Sequence, residues 1–140
     1  MTDGCVFCAI VAGSAPAALI SRTEATAAFL DARPVFPGHT LVVPVAHVET
    51  MLDAPDELLA AVMVEARRVA AALESALDAH GSFVAVNNRV SQSVAHLHVH
   101  VVPRRRKDGL KGFFWPRHRY DSPKEMAGVA DALRAALAAG

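Results

Sequence analysis

The chain lacks most features that mark secreted, membrane-bound or nucleic-acid-binding proteins. It has only 2 cysteines in 140 residues, so it carries no disulfide framework. Its 14 basic and 14 acidic residues give a formal net charge of +0, so we expect no nucleic-acid partner. It shows neither an apolar run long enough to span a bilayer nor the pattern of a secretory signal. We therefore expect a cytoplasmic protein without a membrane partner.

A phosphate-binding glycine loop is also missing, which argues against kinase-like chemistry on ATP. What the chain does have is a hydrophobic content of 53%, enough for one compact domain with its own core. We expect a single domain over residues 1–140. Its core should cover about residues 5–104, and a C-terminal extension over residues 105–140 should end in a helix.

The pattern of apolar residues predicts an α+β fold. Strands are predicted over residues 18–20, 27–30, 40–44 and 82–87, after a short apolar helix over residues 5–11. An apolar stripe at helical spacing predicts a long helix with Asp53 as N-cap and Gly81 as its stop. Ser122 and Glu125 form a capping box for a final helix. Short connections favour a mostly antiparallel sheet with the helices on one side.

The most informative stretch is His96-Leu97-His98-Val99-His100, which reads as a strand with three imidazoles on one face. Imidazoles in a row suit metal binding, as in a catalytic zinc site, or covalent catalysis, in which one ring attacks phosphorus. The outer two histidines are badly spaced for one shared metal, because neighbours on a strand face lie about 7 Å apart. A solvated strand that merely carries histidine is the remaining interpretation.

Cys5 and Cys8 have the two-residue gap of a zinc half-site. Tetrahedral zinc needs two further ligands, for which His47 and His96 are the natural candidates. Two reduced cysteines packed in the core are the alternative.

The triad and its following Val101-Val102 resemble the signature of the histidine triad (HIT) family. The block Pro37-Gly38-His39-Thr40, the later His47 and Gln92-Ser93 before the triad also resemble that family and occur in the same order. The resemblance covers about residues 5–104. It implies a HIT-like α+β fold and a homodimer.

The resemblance also implies roles for individual residues. His98 matches the nucleophile that takes a nucleoside monophosphate group from the α-phosphorus of the substrate. His100 matches a histidine that contacts phosphate oxygens and is a candidate proton donor, and His39 matches a fourth histidine behind the triad. Polar groups around the phosphate and leaving group correspond to Gln92 and Ser93.

The nucleotide pocket follows from the same resemblance. Asp31 matches the carboxylate that holds the ribose hydroxyls, although it also suits a turn before Pro34. The apolar walls of the purine pocket correspond to Phe7, Ile10, Phe29 and Leu41. Asn87 and Asn88 correspond to residues that hold ribose or phosphate, but the loop after them is shorter than the family pattern. A bacterial branch of the family implies structural zinc on Cys5, Cys8, His47 and His96.

We therefore expect a hydrolase or transferase acting at the α-phosphate of purine nucleotides. Dinucleoside polyphosphates are the leading substrates, because the cysteine pair favours them and the run Arg104 to Lys107 would suit distal phosphates. A solvated basic loop is the alternative for this run. Nucleoside phosphoramidates are the second substrate class, and a nucleotide-binding regulator with little turnover is the rival of another kind. The aromatic residues Phe113, Phe114 and Trp115 would either close the site or pack against a second subunit.

Overall fold

The computed structural model describes residues 3–111 and 116–140 of the chain. Phe113, Phe114 and Trp115, and with them the expectation for the aromatic cluster, lie outside the described residues. The chain divides into two compact units, Met1–Asp108 and Gly109–Gly140. The first contains the helices α1 (Val6–Ala12) and α2 (Asp56–Leu77) and the strands β1 (Leu19–Arg22), β2 (Thr26–Leu30), β3 (Thr40–Pro44), β4 (Gly81–Val86) and β5 (Val99–Arg104).

The five strands form one antiparallel sheet in the order β1-β2-β3-β5-β4, which confirms the predicted fold class. Phe29 lies opposite Leu41, and Leu41 lies opposite His100. Residues that are directly opposite in a sheet share a face, so these three side chains form one row across the sheet. The row places a triad histidine beside two of the predicted pocket walls.

The two faces of the sheet carry different layers. One face packs against α2 through a core that includes Ala28, Val42, Val99 and Val101. The opposite face packs against α1, where Phe7 joins Ala27, Phe29, Leu41 and Val43. The expectation that the helices share one side is therefore wrong for α1.

Both predicted ends of the long helix are wrong by a few residues. Pro55, not Asp53, is the N-cap of α2, because Asp53 is used in a preceding 3₁₀ turn where its carboxylate accepts from Thr50. The helix ends at Leu77 because Asp78 adopts the left-handed conformation (φ 56°) that normally favours glycine. Gly81 begins β4 instead.

The histidine strand begins later than predicted. Only His100 lies within β5, and the chain before Val99 approaches the sheet without ladder pairing. His98 and His100 nevertheless stay on one side, with ring centroids 4.9 Å apart. Leu97 is held instead by its N–H, which donates to the Val48 carbonyl at 2.7 Å.

The basic run begins at the last residue of β5, at the end of this strand opposite the triad. Arg104 pairs with Asp108 at 2.6 Å, and the Arg105 guanidinium donates to the carbonyls of Leu77 and Asp78. Arg105 therefore caps the C-terminus of α2, where a cation interacts favourably with the unpaired carbonyls. These contacts give both arginines a role in the fold.

The second unit contains the helix α3 (Pro123–Ala139), which confirms the predicted final helix. The Ser122 hydroxyl accepts from the Glu125 N–H at 3.0 Å, as a capping serine does. Among the described residues, no helix is both long and apolar enough to cross a membrane.

Candidate active site

A pocket of about 730 Å³ opens on the α1 face of the sheet. His98 and His100 line it together with Asp31 and Ser93, and its apolar walls include all four residues assigned to the purine pocket: Phe7, Ile10, Phe29 and Leu41. Its size suits a drug-sized ligand, and its lining of apolar walls with a few convergent polar groups is typical of small-molecule sites. The structure thus brings most of the predicted site together.

The nucleophile candidate, His98, has one ring nitrogen already engaged. Its Nδ1 lies 2.7 Å from the His96 carbonyl oxygen, which only accepts, so Nδ1 carries the proton. In the neutral ring the other nitrogen, Nε2, then holds a lone pair. Only 3% of His98 is exposed, and this burial lowers its pKa, so the ring remains neutral and nucleophilic at neutral pH.

A second chain of hydrogen bonds fixes the protons on His39 and His100. The Val35 N–H donates to His39 Nδ1 at 3.1 Å, so the proton of a neutral His39 is on Nε2. That nitrogen lies 3.0 Å from His100 Nδ1 and therefore donates to it. His100 in turn keeps its proton on Nε2 and offers an N–H to an anionic ligand in the pocket.

The pKa of His100 determines its charge in the free pocket. Burial, reinforced by the nearby His98 and His39, lowers this pKa to about 4. A neutral imidazole N–H can donate a hydrogen bond to an anionic oxygen, so His100 is placed to bind a phosphate group in the pocket. Its role as a proton donor stays a prediction.

Asp31, His39 and His100 also have the spacing of a metal site, with ligand atoms within 4.8 Å of one another. A neutral imidazole ring has only one nitrogen with a free lone pair. In His39 that nitrogen is Nδ1, which already accepts the Val35 N–H, so Nε2 carries the proton and cannot bind a metal. His39 and His100 are therefore a hydrogen-bonded pair, and the Asp31 carboxylate lies beside them, 3.7 Å from His39 Nε2.

Three predicted polar residues lie outside the pocket lining. The Gln92 side chain links two loops, accepting from the Arg89 N–H at 2.9 Å and donating to the Glu49 carbonyl at 2.5 Å. The side-chain oxygen of Asn88 accepts from the Met51 N–H at 3.0 Å, and Asn87 directly follows β4. Gln92 and Asn88 therefore shape the short loop before the triad.

The predicted metal ligands come together at the N-terminal end of α1, and we call them the Cys–His cluster: Cys5, Cys8, His47 and His96. His96 Nδ1 lies 3.5 Å from Cys5 Sγ, 3.6 Å from Cys8 Sγ and 3.1 Å from His47 Nδ1. A tetrahedron with bonds of about 2.0 Å to nitrogen and about 2.3 Å to sulfur has edges of roughly 3.3 to 3.8 Å. The four side chains therefore fit a tetrahedral ion.

The protonation of the cluster side chains also favours metal binding. His96 Nε2 donates to the Pro44 carbonyl at 2.9 Å, which leaves the lone pair on Nδ1 facing the other ligands. The Cys8 N–H points to Cys5 Sγ at 3.4 Å, an arrangement that stabilises a thiolate. Burial lowers the pKa of His96, which keeps the ring neutral and able to ligate.

Sequence reasoning missed the backbone groups of the site. The Val35 N–H and the carbonyls of His96 and Pro44 set the protonation of three rings, yet no residue type signals a backbone contact. Val6 and Val94, which line the pocket, were also missed, because an isolated valine carries no signal beyond that of a core residue.

A family model described as HIT domain matches residues 12–107, more than half of the chain. An uncharacterised HIT-like protein of Mycobacterium tuberculosis is 40% identical over 136 residues, covering 96% of this chain and 93% of its own. The chain therefore belongs to the HIT family.

Relatives with named activities are also similar. The adenosine 5'-monophosphoramidase HNT1 of Saccharomyces cerevisiae is 35% identical over 121 residues, covering 86% of this chain and 75% of its own. The adenylylsulfatase HINT3 of Arabidopsis thaliana is 27% identical over 141 residues, covering 96% of this chain and 70% of its own.

Two solved structures share the fold. A protein of Streptococcus mutans superposes with a TM-score of 0.89 at 32% identity, covering 98% of this chain and 87% of that one. A Zn-bound histidine triad family protein of Mycobacterium smegmatis superposes with a TM-score of 0.74 at 38% identity, covering 98% of both chains.

Proposed function

We propose that this HIT-family nucleotide hydrolase acts on purine nucleoside 5'-phosphoramidates, through a nucleotide bound covalently to His98. The observation that carries the proposal is the protonation pattern of the pocket. His98 presents a lone pair on Nε2, and His100 presents an N–H two residues further along the same side. One ring can attack phosphorus while the other binds its oxygens.

The reaction proceeds in two displacements. First, His98 Nε2 bonds to the α-phosphorus as the bond between phosphorus and the leaving-group nitrogen breaks, and the amine departs with a proton from solvent. Water then attacks phosphorus, the phosphorus–His98 bond breaks, and one proton of the water passes to solvent. His100 and Ser93 stabilise the charge on the phosphoryl oxygens in both steps.

The choice between substrate classes depends in part on the basic run. Dinucleoside polyphosphates were the leading expectation because of the cysteine pair and because Arg104 to Lys107 would hold distal phosphates. Arg104 and Arg105 instead bind Asp108 and the end of α2. Together with the named activity of the yeast relative, this favours the phosphoramidate class.

Zinc in the Cys–His cluster is a further part of the proposal. The ligand distances fit a tetrahedral ion, and the Mycobacterium smegmatis relative is named as Zn-bound. A site with four protein ligands is closed, so the metal would be structural and would leave the displacement at phosphorus to His98.

A homodimer is the assembly we propose. β4 is an edge strand of the sheet, and Val84 within it is 41% exposed. An edge strand with an exposed apolar side chain is a template for pairing with a second copy. Sedimentation equilibrium of the wild type and of Val84→Lys tests it; a monomeric wild type would contradict it.

The test of function is turnover of adenosine 5'-phosphoramidate and diadenosine tetraphosphate by the wild type and His98→Ala. We expect the wild type to release AMP faster from the phosphoramidate and the variant to lose at least about 10⁴-fold in kcat, because the covalent route is closed. Mass spectrometry of acid-quenched wild type should show one added nucleotidyl group, and His98→Ala should show none.

His80→Ala is the matched control, since His80 lies at the far end of β5 beside Arg104. It should retain wild-type turnover. If the wild type cleaves diadenosine tetraphosphate faster than the phosphoramidate, dinucleoside polyphosphates are the preferred substrate class. Nucleotide binding without any turnover in the wild type would favour the regulator.

A further inference from the structure

The Cys–His cluster touches the nucleotide pocket through His96. The imidazole of His96 belongs to the cluster, while its backbone carbonyl accepts the Nδ1 proton of His98 at 2.7 Å. The same residue is completely buried and is anchored on its other side by the Pro44 carbonyl. Any group that fixes the ring of His96 therefore also fixes the carbonyl that orients the nucleophile.

A second connection runs through α1. This helix of seven residues begins at the N-cap Cys5, contains Cys8 and contributes Val6, Phe7 and Ile10 to the pocket. The Phe7 ring packs edge-on against His98, with centroids 5.1 Å apart, and against Phe29 at 5.4 Å. So short a helix is not stable by itself, so the position of these walls depends on what holds its two cysteines.

We propose that a metal ion in the Cys–His cluster and a nucleotide in the pocket bind cooperatively, each tightening the binding of the other. The inference rests on the proposed function only for the identity of the ligand as a nucleotide. Cys5, Cys8 and His47 are then positioning residues: they touch no nucleotide, but they set α1 and the His96 carbonyl. The chain would bind nucleotide well only while it holds metal.

Cooperativity of this kind is reciprocal by thermodynamic necessity. If metal improves the affinity for nucleotide by some factor, nucleotide must improve the affinity for metal by the same factor. We expect a factor of about ten, within the usual range for two coupled sites. A purely structural metal that only adds stability, with no coupling to the pocket, predicts a factor of one.

The first experiment measures both halves of this reciprocity on the wild-type protein. Zinc affinity is measured by competition with a chromogenic chelator, with and without saturating AMP. AMP affinity is measured by calorimetry on zinc-loaded and zinc-stripped protein, with circular dichroism to establish that the stripped protein is folded. Equal factors of about ten in the two measurements are the expected result.

A set of variants at one ligand separates positioning from general stability. His47→Ala removes a ligand that does not line the nucleotide pocket, and should weaken zinc and AMP binding together. His47→Cys restores a fourth ligand and should recover both. His80→Ala, a histidine outside the cluster, should change neither.

The zinc measurement on loaded protein decides the matter even if the stripped protein or His47→Ala unfolds. An unchanged zinc affinity in saturating AMP would overturn the inference, as would failure to retain zinc at all. A protein that binds zinc but not AMP would overturn the proposed function, and with it the coupling. Formation of nucleotidyl-His98 combined with unchanged zinc affinity would leave the proposed function standing and remove the coupling alone.

Discussion

At the residue scale, the position of the proton on each histidine ring determines whether that ring donates or accepts a hydrogen bond. The Val35 N–H, His39 and His100 form a chain in which each donor leaves the next ring only one place for its proton. His100 consequently presents Nε2–H, and loss of the donor at His39 would let the ring take the other tautomer. A lone pair would then face the phosphate oxygens and repel them.

We therefore expect His39→Leu to lower kcat/KM by about 100-fold, less than the effect of a wrong tautomer in a full catalytic triad. His39→Gln keeps an N–H donor and should stay within about tenfold of the wild type. Steady-state kinetics tests both, with imidazole ¹⁵N shifts of His100 as a direct readout of the tautomer. Equal losses in the two variants would show that position 39 acts through packing.

Burial of His100 also makes stability depend on pH. In the folded protein its pKa is about 4, chiefly because of desolvation, against an ordinary value of 6.5. Between these two pH values His100 is protonated in the unfolded chain but neutral in the folded protein. The free energy of unfolding therefore falls as the pH drops. The slope from this one group is at most about 1.4 kcal/mol per pH unit.

His100→Gln should accordingly flatten the fall in stability between pH 6.5 and pH 4. Urea unfolding at a series of pH values, in constant excess zinc, measures the slope for wild type and variant. Identical slopes would mean that His100 does not resist protonation in the folded protein.

Two elements meet at Gly38, where the loop that carries His39 crosses the end of α2. Gly38 has a φ of 104°, and a Cβ there would lie 2.7 Å from Leu77 Cδ1 and 3.3 Å from Leu73 Cδ2. Gly13 has a similar positive φ of 81° but open space around it. Substitutions at these two glycines therefore separate the cost of backbone strain from the cost of a close contact.

Gly38→Ala should lower the free energy of unfolding by about 2 kcal/mol, and Gly13→Ala by about 1 kcal/mol. Gly38→Ala should also reduce kcat/KM, because the displaced loop carries the donor to His100. Urea unfolding with parallel kinetics tests both statements. Equal destabilisation by the two substitutions would exclude a contribution from the contact with α2.

The end of α2 gives a test of the basic run. Arg105→Met keeps the apolar stem but loses the guanidinium that caps Leu77 and Asp78, so we expect a loss of about 1 kcal/mol in stability. Arg106→Met, an exposed neighbour, should cost nothing. Both variants should cleave diadenosine tetraphosphate at the wild-type rate. A loss of activity specific to that substrate would indicate that the basic run binds its distal phosphates.

At the scale of elements, the sequence predicts that a helix or strand exists more accurately than it predicts where that element begins and ends. Strong alternation and helical stripes predicted each strand and helix near its observed place. The ends of α2 were wrong because Asp53 prefers its local 3₁₀ turn and because Asp78 accepts a backbone conformation that its residue type seldom adopts. Such choices depend on neighbours that no local pattern contains.

At the scale of the whole molecule, the sequence predicted the site best where several residues share one chemistry. The triad and the cysteine pair predicted the groups that the structure assembles, although they come from distant parts of the chain. Gln92 and Asn88 do not line the pocket, and their side-chain amides bind backbone groups of neighbouring loops. The carbonyls and N–H groups that fix the protons were beyond any argument from residue type.

The sheet also sets where this molecule can vary in length. Residues 98 to 101 alternate between pocket and core, so inserting one residue there would send valines to the ligand and histidines into the apolar layer. The loop over residues 89–91 has no such alternation, and Arg89 and Ser91 adopt positive φ angles of 71° and 61° within it. Insertions are thus tolerated better in the loop before the triad, while the triad itself can change only by substitution.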